Sequence, residues 1–380
     1  MTTIASAHEP GQPVAKQRPE HLDVVVIGAG QAGLAAGYYL AQRGLRFAIL
    51  ESCPRVGDSW RNRWDSLRLF TPAKYNGLPG LPFPLARNIY PTKDEMADYL
   101  VEYASVMGLP VRTATTARHV TRSPEDTNAW LVETDDTIIA TDSVVIATGG
   151  YQLPKVPRFA SELDPGIHQI HSHDYRNPAQ FQTGGVLVVG ASNSGAEIAL
   201  EAARHQHTTW LAGRDPGHIP INWDSPVGRL AESALWFMVN KVLTVNTPMG
   251  RKAMGQVRNH GLPVERISRS DLKDAGVTRI LSRVVGAKDG KPRLADDRVL
   301  AVDNIVWCTG FRGDYTWIDG ITYGEDGYPE QDRGVVTNAP GLYFMGLRFQ
   351  RAASSSLVGG AGRDAAHVVG HIAARIRQAA

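Results

Sequence analysis

The run Val24-Val25-Val26-Ile27-Gly28-Ala29-Gly30-Gln31-Ala32-Gly33 decides the reading of this chain. Its first four residues predict a buried strand, and the Ala-rich stretch that follows predicts a helix from about Ala32 to Arg43, closed by Gly44. Between them each glycine of GxGxxG has a task. Gly28 permits the tight bend, Gly30 lets a phosphate approach the backbone, and Gly33 lets helix and strand pack closely. The N–H groups at the helix start, Gln31 and Ala32 among them, then face a pyrophosphate. A second strand, Phe47–Leu50, delivers Glu51 eighteen residues past Gly33, near the about 20 expected of a ribose-binding acid. A carboxylate there accepts from a ribose 2′-hydroxyl and repels a 2′-phosphate, so this site suits FAD or NAD and disfavours NADP.

The pattern recurs as Val186-Leu187-Val188-Val189-Gly190-Ala191-Ser192-Asn193-Ser194-Gly195. Ser192 takes the place of the middle glycine, where its hydroxyl can bond a phosphate, and Asn193 and Ser194 open the helix. After a strand at Thr208–Ala212, Arg214 stands nineteen residues past Gly195, the place that Glu51 holds in the first unit. A guanidinium there clamps a 2′-phosphate through paired hydrogen bonds. Two cradles closed by opposite charges read as FAD in the first and NADPH in the second.

Composition narrows the class. Hydrophobic residues make up 43% of the 380 and charged residues 21%, ordinary for a globular chain with room for two domains. A formal charge of +2 gives no field that calls for nucleic acid. No apolar run is long enough to predict a membrane span. Residues 1–20 are polar, contain Pro10, Pro13 and Pro19, and read as a disordered tail without the apolar stretch of a signal peptide. The two cysteines, Cys53 and Cys308, form no CxxC pair, which argues against a dithiol reductase centre and for buried thiols in a cytoplasmic protein.

The stretch after Glu51 reads Val56-Gly57-Asp58-Ser59-Trp60-Arg61, then Ser66-Leu67-Arg68-Leu69-Phe70-Thr71-Pro72, Leu78-Pro79-Gly80-Leu81-Pro82-Phe83-Pro84 and Tyr90-Pro91-Thr92. Here the chain resembles the class B flavin-dependent monooxygenases, a group within the NAD(P)/FAD-dependent oxidoreductases that includes flavin-containing monooxygenases, plant auxin-forming enzymes and Baeyer–Villiger enzymes. Their GG-x-W element is present with Asp58 in place of the second glycine. The resemblance implies that Ser52, Gly57, Asp58, Ser59, Trp60, Leu67 and Thr71 wrap the flavin and that the backbone at Val120 meets the adenine. It implies that Ala147-Thr148-Gly149 closes the FAD domain and that Cys308-Thr309-Gly310-Phe311-Arg312 brings the chain back to it. It also implies that Gly346, Ser356 and Leu357 approach the flavin, the last two through N–H groups that favour its reduced anion. The asparagine that animal relatives carry near Thr71-Pro72 is absent.

The expected fold class is therefore α/β, with two Rossmann-like dinucleotide-binding domains, the NADPH domain inserted into the FAD domain. The FAD domain takes 21–160 and 305–380, and the NADPH domain 161–304. Between them His171 and Tyr175 match the second half of the group's FxGxxxHxxx(F/Y) sequence, while Pro165 and Ile167 replace its Phe and Gly. His168, His171 and His173 read as hinge residues, and no metal is expected. Some elements follow from the residues alone. Thr92 and Glu95 form a capping box before an apolar face of Met96, Tyr99, Leu100 and Tyr103. A helix over about 230–243 has Leu230, Ala234, Leu235, Met238 and Val242 at helical spacing, with Trp236 and Phe237 read as core and the lining of a substrate tunnel as the alternative. Pro216, Pro220, Trp223 and Pro226 suggest an irregular entry to it. Gly334–Thr337 and Pro340–Gly346 read as two strands, and a last helix spans about 360–377.

The resemblance implies an NADPH-dependent FAD monooxygenase. NADPH passes hydride to the flavin, O2 forms a C4a-(hydro)peroxyflavin, and one oxygen enters a small organic substrate by N-, S- or carbonyl oxidation. No catalytic acid or base is named, because the cofactor carries the chemistry. Two alternatives stand beside it: an NADPH:acceptor oxidoreductase or oxidase on the same scaffold, and a protein that binds FAD without turnover. The substrate and O2 are the expected partners, and a homodimer is left open.

Overall fold

The computed structural model describes residues 20–217, 225–259 and 266–379. The expected tail lies outside them except Glu20, which already belongs to the first strand, and Pro220 and Trp223 also lie outside. In the first unit the chain runs β1 (Glu20–Ile27), α1 (Gln31–Gln42), β2 (Phe47–Leu50), α2 (Asp58–Arg61), α3 (Lys93–Val106), β3 (Val111–Arg112), β4 (Ala117–Arg122), β5 (Trp130–Thr134) and β6 (Ile138–Ile146). β7 (Leu153–Pro154) leads to the second unit: β8 (His168–His171), β9 (Val186–Val189), α4 (Asn193–Arg204), β10 (Thr209–Ala212), α5 (Pro226–Phe237), α6 (Pro248–Asn259), α7 (Arg269–Asp274), β11 (Thr278–Ile280), β12 (Val284–Lys288), β13 (Lys291–Leu294) and β14 (Asn304–Trp307). The chain returns through β15 (Phe311–Arg312) and closes with β16 (Leu342–Phe344) and α8 (Val358–Ala379).

Two sheets result. The first has the order β3-β2-β1-β6-β5-β4, with β16 added to the end of β6. Its β1 pairs in parallel with β2 and with β6. The second has the order β11-β10-β9-β14-β8, and its neighbouring strands all pair in parallel. Central strands of such sheets are covered on both faces and read as unbroken apolar runs. Val186–Val189 fits, with all four residues buried. α1, α3 and α8 cover one face of the first sheet through Leu34, Leu40, Tyr99 and Ile372, each such side chain worth about 1.5–3 kcal/mol when buried. The capping box on α3 is present: Thr92 Oγ1 accepts from the Glu95 N–H at 3.1 Å, and Glu95 Oε2 accepts from the Thr92 N–H at 2.7 Å.

Several expectations change. β14 lies inside the second sheet, between β9 and β8, so the return to the first unit comes after Trp307 and not at 305. β7 and β15 pair as a short antiparallel ribbon between the units. Residues 334–337 form no strand; Val335 makes isolated bridges to Asp332 and Tyr343, because β16 pairs with β6 instead. Pro226 opens α5 at a position that needs no N–H donor, and a π-helical turn, Met238–Val242, continues it. Its expected core face is largely exposed: Leu230 is 74%, Phe237 62% and Met238 38% accessible.

Candidate functional site

The two glycine turns have closely matched geometry. Gly28 has φ +107° and Gly190 +108°, values that L side chains rarely adopt. Gly28 donates its N–H to the Leu50 carbonyl at 2.7 Å, and Gly190 to the Ala212 carbonyl at 2.8 Å. A Cβ on Gly28 would press on the Ala147 carbonyl, and one on Gly190 on the Cys308 carbonyl. The ATG and CTG segments thus occupy equivalent places behind the two turns. A Cβ on Gly33 would overlap the Gly28 carbonyl oxygen, and one on Gly195 that of Gly190. Gly30 differs: no protein atom stands within 4 Å of where its Cβ would be. Gly149 (φ +69°) and Gly310 (φ +83°) face equally open space. Those openings in front of the helix starts fit the pyrophosphates of FAD and NADPH.

Glu51 sits at the end of β2. Its Oε2 accepts from the Ala29 N–H and its Oε1 from the Cys53 N–H, both at 2.9 Å. Each oxygen keeps a further lone pair for a ribose hydroxyl. Arg214 follows β10 and is exposed. The sequence reading missed Arg279, whose guanidinium donates to the carbonyls of Leu211 (2.8 Å), Gly213 (2.7 Å) and Arg214 (3.1 Å). It locks the loop that presents Arg214, and burial pulls its pKa down.

Around the flavin-side segments the structure separates the expected residues. Gly57 (φ +86°) caps α2, and a Cβ there would clash with the Ala97 carbonyl. Asp58 is buried and paired with Arg55 (3.2 Å) and Arg61 (3.4 Å), so the residue that replaces the second glycine holds its own loop. Ser52 and Ser59 are exposed, whereas Trp60 and Leu67 are half-buried against the core. Gly346 packs close to Ala32 at the head of α1. The Thr71 hydroxyl donates to Asn76 Oδ1 at 2.7 Å, and the Asn76 amide donates to the carbonyls of Thr71 (2.8 Å) and Pro72 (3.2 Å). Asn76 is fully buried, and nothing in its local sequence, where Lys74 and Tyr75 precede it, marked it out.

Two expected contacts are corrected. Val120 is fully buried in β4. Its N–H donates to the Trp317 carbonyl and its carbonyl accepts from the Asp319 N–H, both at 2.9 Å, so its backbone does not face an adenine. The Leu357 N–H donates to the Ser354 carbonyl at 2.9 Å, which removes it as a flavin donor and leaves Ser356 at that turn. Thr309 also donates its hydroxyl to the Lys155 carbonyl, a contact across the ribbon between the units.

The hinge residues have specific partners. His171 Nδ1 accepts from the His173 N–H at 3.0 Å, so Nε2 carries the proton and donates to the Gly310 carbonyl at 3.1 Å. Burial holds the His171 pKa below its ordinary value, which keeps that tautomer neutral. Tyr175 donates to Glu201 of α4 at 2.9 Å. Among the described residues no cluster suits a metal ion. Beside the hinge, Arg63 and Arg348 lie over the Tyr151 ring at 5.9 and 5.5 Å, and neither has a carboxylate partner among the described residues. Burial pushes the Cys53 thiol up to about 11 and the Cys308 thiol up to about 12, so neither is a thiolate at neutral pH.

Residues 25–226 match the family model described as pyridine nucleotide-disulphide oxidoreductase. An uncharacterized CzcO-like oxidoreductase of Geobacillus kaustophilus is 38% identical over 353 residues, 92% of this chain and 98% of that protein. A probable indole-3-pyruvate monooxygenase of Arabidopsis thaliana, YUCCA3, is 28% identical over 85% of this chain and 81% of its own length. A flavin-containing monooxygenase from Stenotrophomonas maltophilia superposes with a TM-score of 0.76 at 27% identity, covering 94% of this chain and 99% of that one. The chain belongs to the pyridine nucleotide-disulphide oxidoreductase family. Within it the chain is a class B flavin monooxygenase, an FAD- and NADPH-dependent enzyme. Among the described residues no helix is long and apolar enough to cross a membrane.

Proposed function

We propose that this enzyme inserts one atom of O2 into a small organic substrate, by N-, S- or carbonyl oxidation, while NADPH reduces the other atom to water. The observation that carries this reading is the matched pair of cradles, one closed by Glu51 and the other by Arg214. Bound FAD, reduced by NADPH, supplies the activation of O2. The chain's residues supply position. Gly28, Gly30, Gly33, Gln31 and Ala32 offer the FAD pyrophosphate a backbone surface, and Glu51 keeps lone pairs for its ribose. Gly190, Ser192, Asn193, Ser194 and Gly195 do the same for NADPH, and Arg214 meets its 2′-phosphate. Arg63 and Arg348 give the hinge cleft a positive potential suited to a polyanionic reductant. His171 holds Gly310 and so fixes the angle at which the second unit faces the first. At the flavin side, Thr71, Pro72, Leu235, Val239 and Leu357, together with Glu232, line a small chamber of mostly apolar surface.

The test is mass spectrometry of products formed under 18O2 with candidate amines, sulfides and ketones. Incorporation of one labelled oxygen, coupled to NADPH loss, is the expected result. NADPH loss with stoichiometric peroxide, or with reduction of added quinone and no label in any product, overturns the proposal in favour of an oxidase or acceptor reductase.

A further inference from the structure

α5 and the π-helical turn that continues it have two unlike sides. Leu235, Trp236 and Val239 turn inward and line the small chamber. The other side carries Leu230, Ser233, Ala234, Phe237, Met238 and Lys241 at steps of three and four residues, and all of these are exposed. Ile89 of the first unit, 48% accessible, extends that apolar surface, because its neighbours Arg87 and Asn88 line the same cavity of about 580 Å³ as Phe237 and Lys241. Lys74 and Arg363 also line this cavity, but each is already paired, with Glu232 at 2.5 Å and with Asp364 at 3.0 Å. Arg87 and Lys241 are exposed and form no ion pair among the described residues.

Single exposed apolar residues are ordinary. A contiguous apolar stripe edged by unpaired cations marks an interaction surface, and its charge selects the occupant. A second copy seated across a two-fold axis would set Arg87 and Lys241 against the same cations, and the stripe offers no carboxylate to receive them. A nucleic acid would gain from the cations and nothing from Leu230 or Met238. A bilayer with anionic headgroups matches both parts of the surface. Its acyl boundary takes the apolar side chains, and its phosphates meet the cations.

We infer that α5 docks this protein on the surface of an anionic phospholipid bilayer. The helix lies in the plane of the interface, with Leu230, Phe237 and Met238 at the acyl boundary and Arg87 and Lys241 on headgroup phosphate. Trp236, on the inward side, stacks on Tyr75 with ring centroids 4.4 Å apart. Docking therefore leaves a single helix between the lipid and the chamber. The inference goes beyond the proposed reaction and does not depend on it.

The test is flotation of the purified holoenzyme with vesicles of phosphatidylcholine alone and of equal parts phosphatidylcholine and phosphatidylglycerol, at low ionic strength. Binding to the mixed vesicles is expected to be about tenfold stronger or more. Leu230→Ser/Phe237→Ser is expected to lose binding to both, and Arg87→Glu/Lys241→Glu to lose the preference for the anionic vesicles. The absorbance of bound FAD and the melting transition of each variant report the fold. Failure of the wild type to float with the anionic vesicles overturns the inference. So does binding that survives Leu230→Ser/Phe237→Ser, which would make the contact one of charge alone. Release by inorganic phosphate beyond that by chloride of equal ionic strength would assign the cations to a free anion and also overturn it. Self-association without vesicle binding, abolished by Leu230→Ser/Phe237→Ser, would give the stripe to a second copy instead. None of these outcomes alters oxygen incorporation by the flavin, so failure here and failure of the proposed reaction are read separately.

Discussion

Gly30 and Gly33 show how one motif holds two kinds of glycine. A side chain at Gly33 has no room, because its Cβ would overlap the Gly28 carbonyl oxygen. A Cβ at Gly30 meets no protein atom beyond its chain neighbours within 4 Å, and in the proposed reading it would fill only the space left for a phosphate. Gly30→Val is therefore expected to fold, with an unchanged far-ultraviolet circular dichroism spectrum, and to purify colourless. Gly33→Val is expected to lose the fold itself, seen as low soluble yield and a collapsed melting transition. Glu197, on the second turn of α4, makes a second prediction at this scale. Burial pushes its pKa from the ordinary 4.5 up to about 7, against the opposing pull of Arg266, whose guanidinium is 3.8 Å away. A carboxyl raised in the folded state stabilises it below the unfolded pKa, and that stability is lost as pH rises through the folded value. Wild type should thus lose on the order of 2 kcal/mol between pH 4.5 and 7 from this group. Glu197→Gln should flatten that slope, so that the variant melts a few degrees above wild type at pH 8. Melting curves at pH 5 and 8 decide it, and parallel pH profiles for the two proteins would contradict the assignment.

Among the elements, α3 and α5 differ in what their sequences reveal. In α3 the capping box and the buried Met96, Tyr99, Leu100 and Tyr103 match expectation, since cap and face are local facts. In α5 the spacing correctly groups Leu230, Ala234 and Met238 on a helix, yet that side is open to solvent. Periodicity says which residues share a face and not what covers it. What anchors α5 is nonlocal: the Lys74–Glu232 pair, with side chains 11% and 13% accessible, and the Tyr75–Trp236 stack. Removing one partner of a largely buried pair leaves an uncompensated charge, which costs about 3–5 kcal/mol in fully buried cases. Glu232→Ala is expected to raise amide exchange in α5 at least tenfold while β9 and α4 keep their protection. Unchanged exchange in α5 would show that the ion pair does not hold the helix.

Across the whole molecule, the two cradles were legible because each is written in one short segment with its strand, turn, helix and closing charge in order. The wall of the site was not. Arg63, Tyr151 and Arg348 come from three distant stretches and meet only in the folded chain. Asn76 and Arg279 act on backbone carbonyls, which a sequence does not display. Val120 was misplaced for a related reason: its strand position is local, but the pairing with residues 317–319 that occupies its backbone is not. The boundary at 305 failed because Asn304–Trp307 looks like a return to the first unit, while its pairing partners are β8 and β9.

The opposite charges at Glu51 and Arg214 are the claim on which the rest depends, and anaerobic rapid mixing measures it directly. The oxidised holoenzyme is mixed with NADPH or NADH, and bleaching of the flavin absorbance is followed for wild type and Arg214→Ala. The account predicts that wild type is reduced at lower concentrations of NADPH than of NADH. It also predicts that Arg214→Ala loses on the order of tenfold or more of that preference with its FAD content intact. Equal reduction by both nucleotides in wild type, or an unchanged preference in the variant, would contradict it.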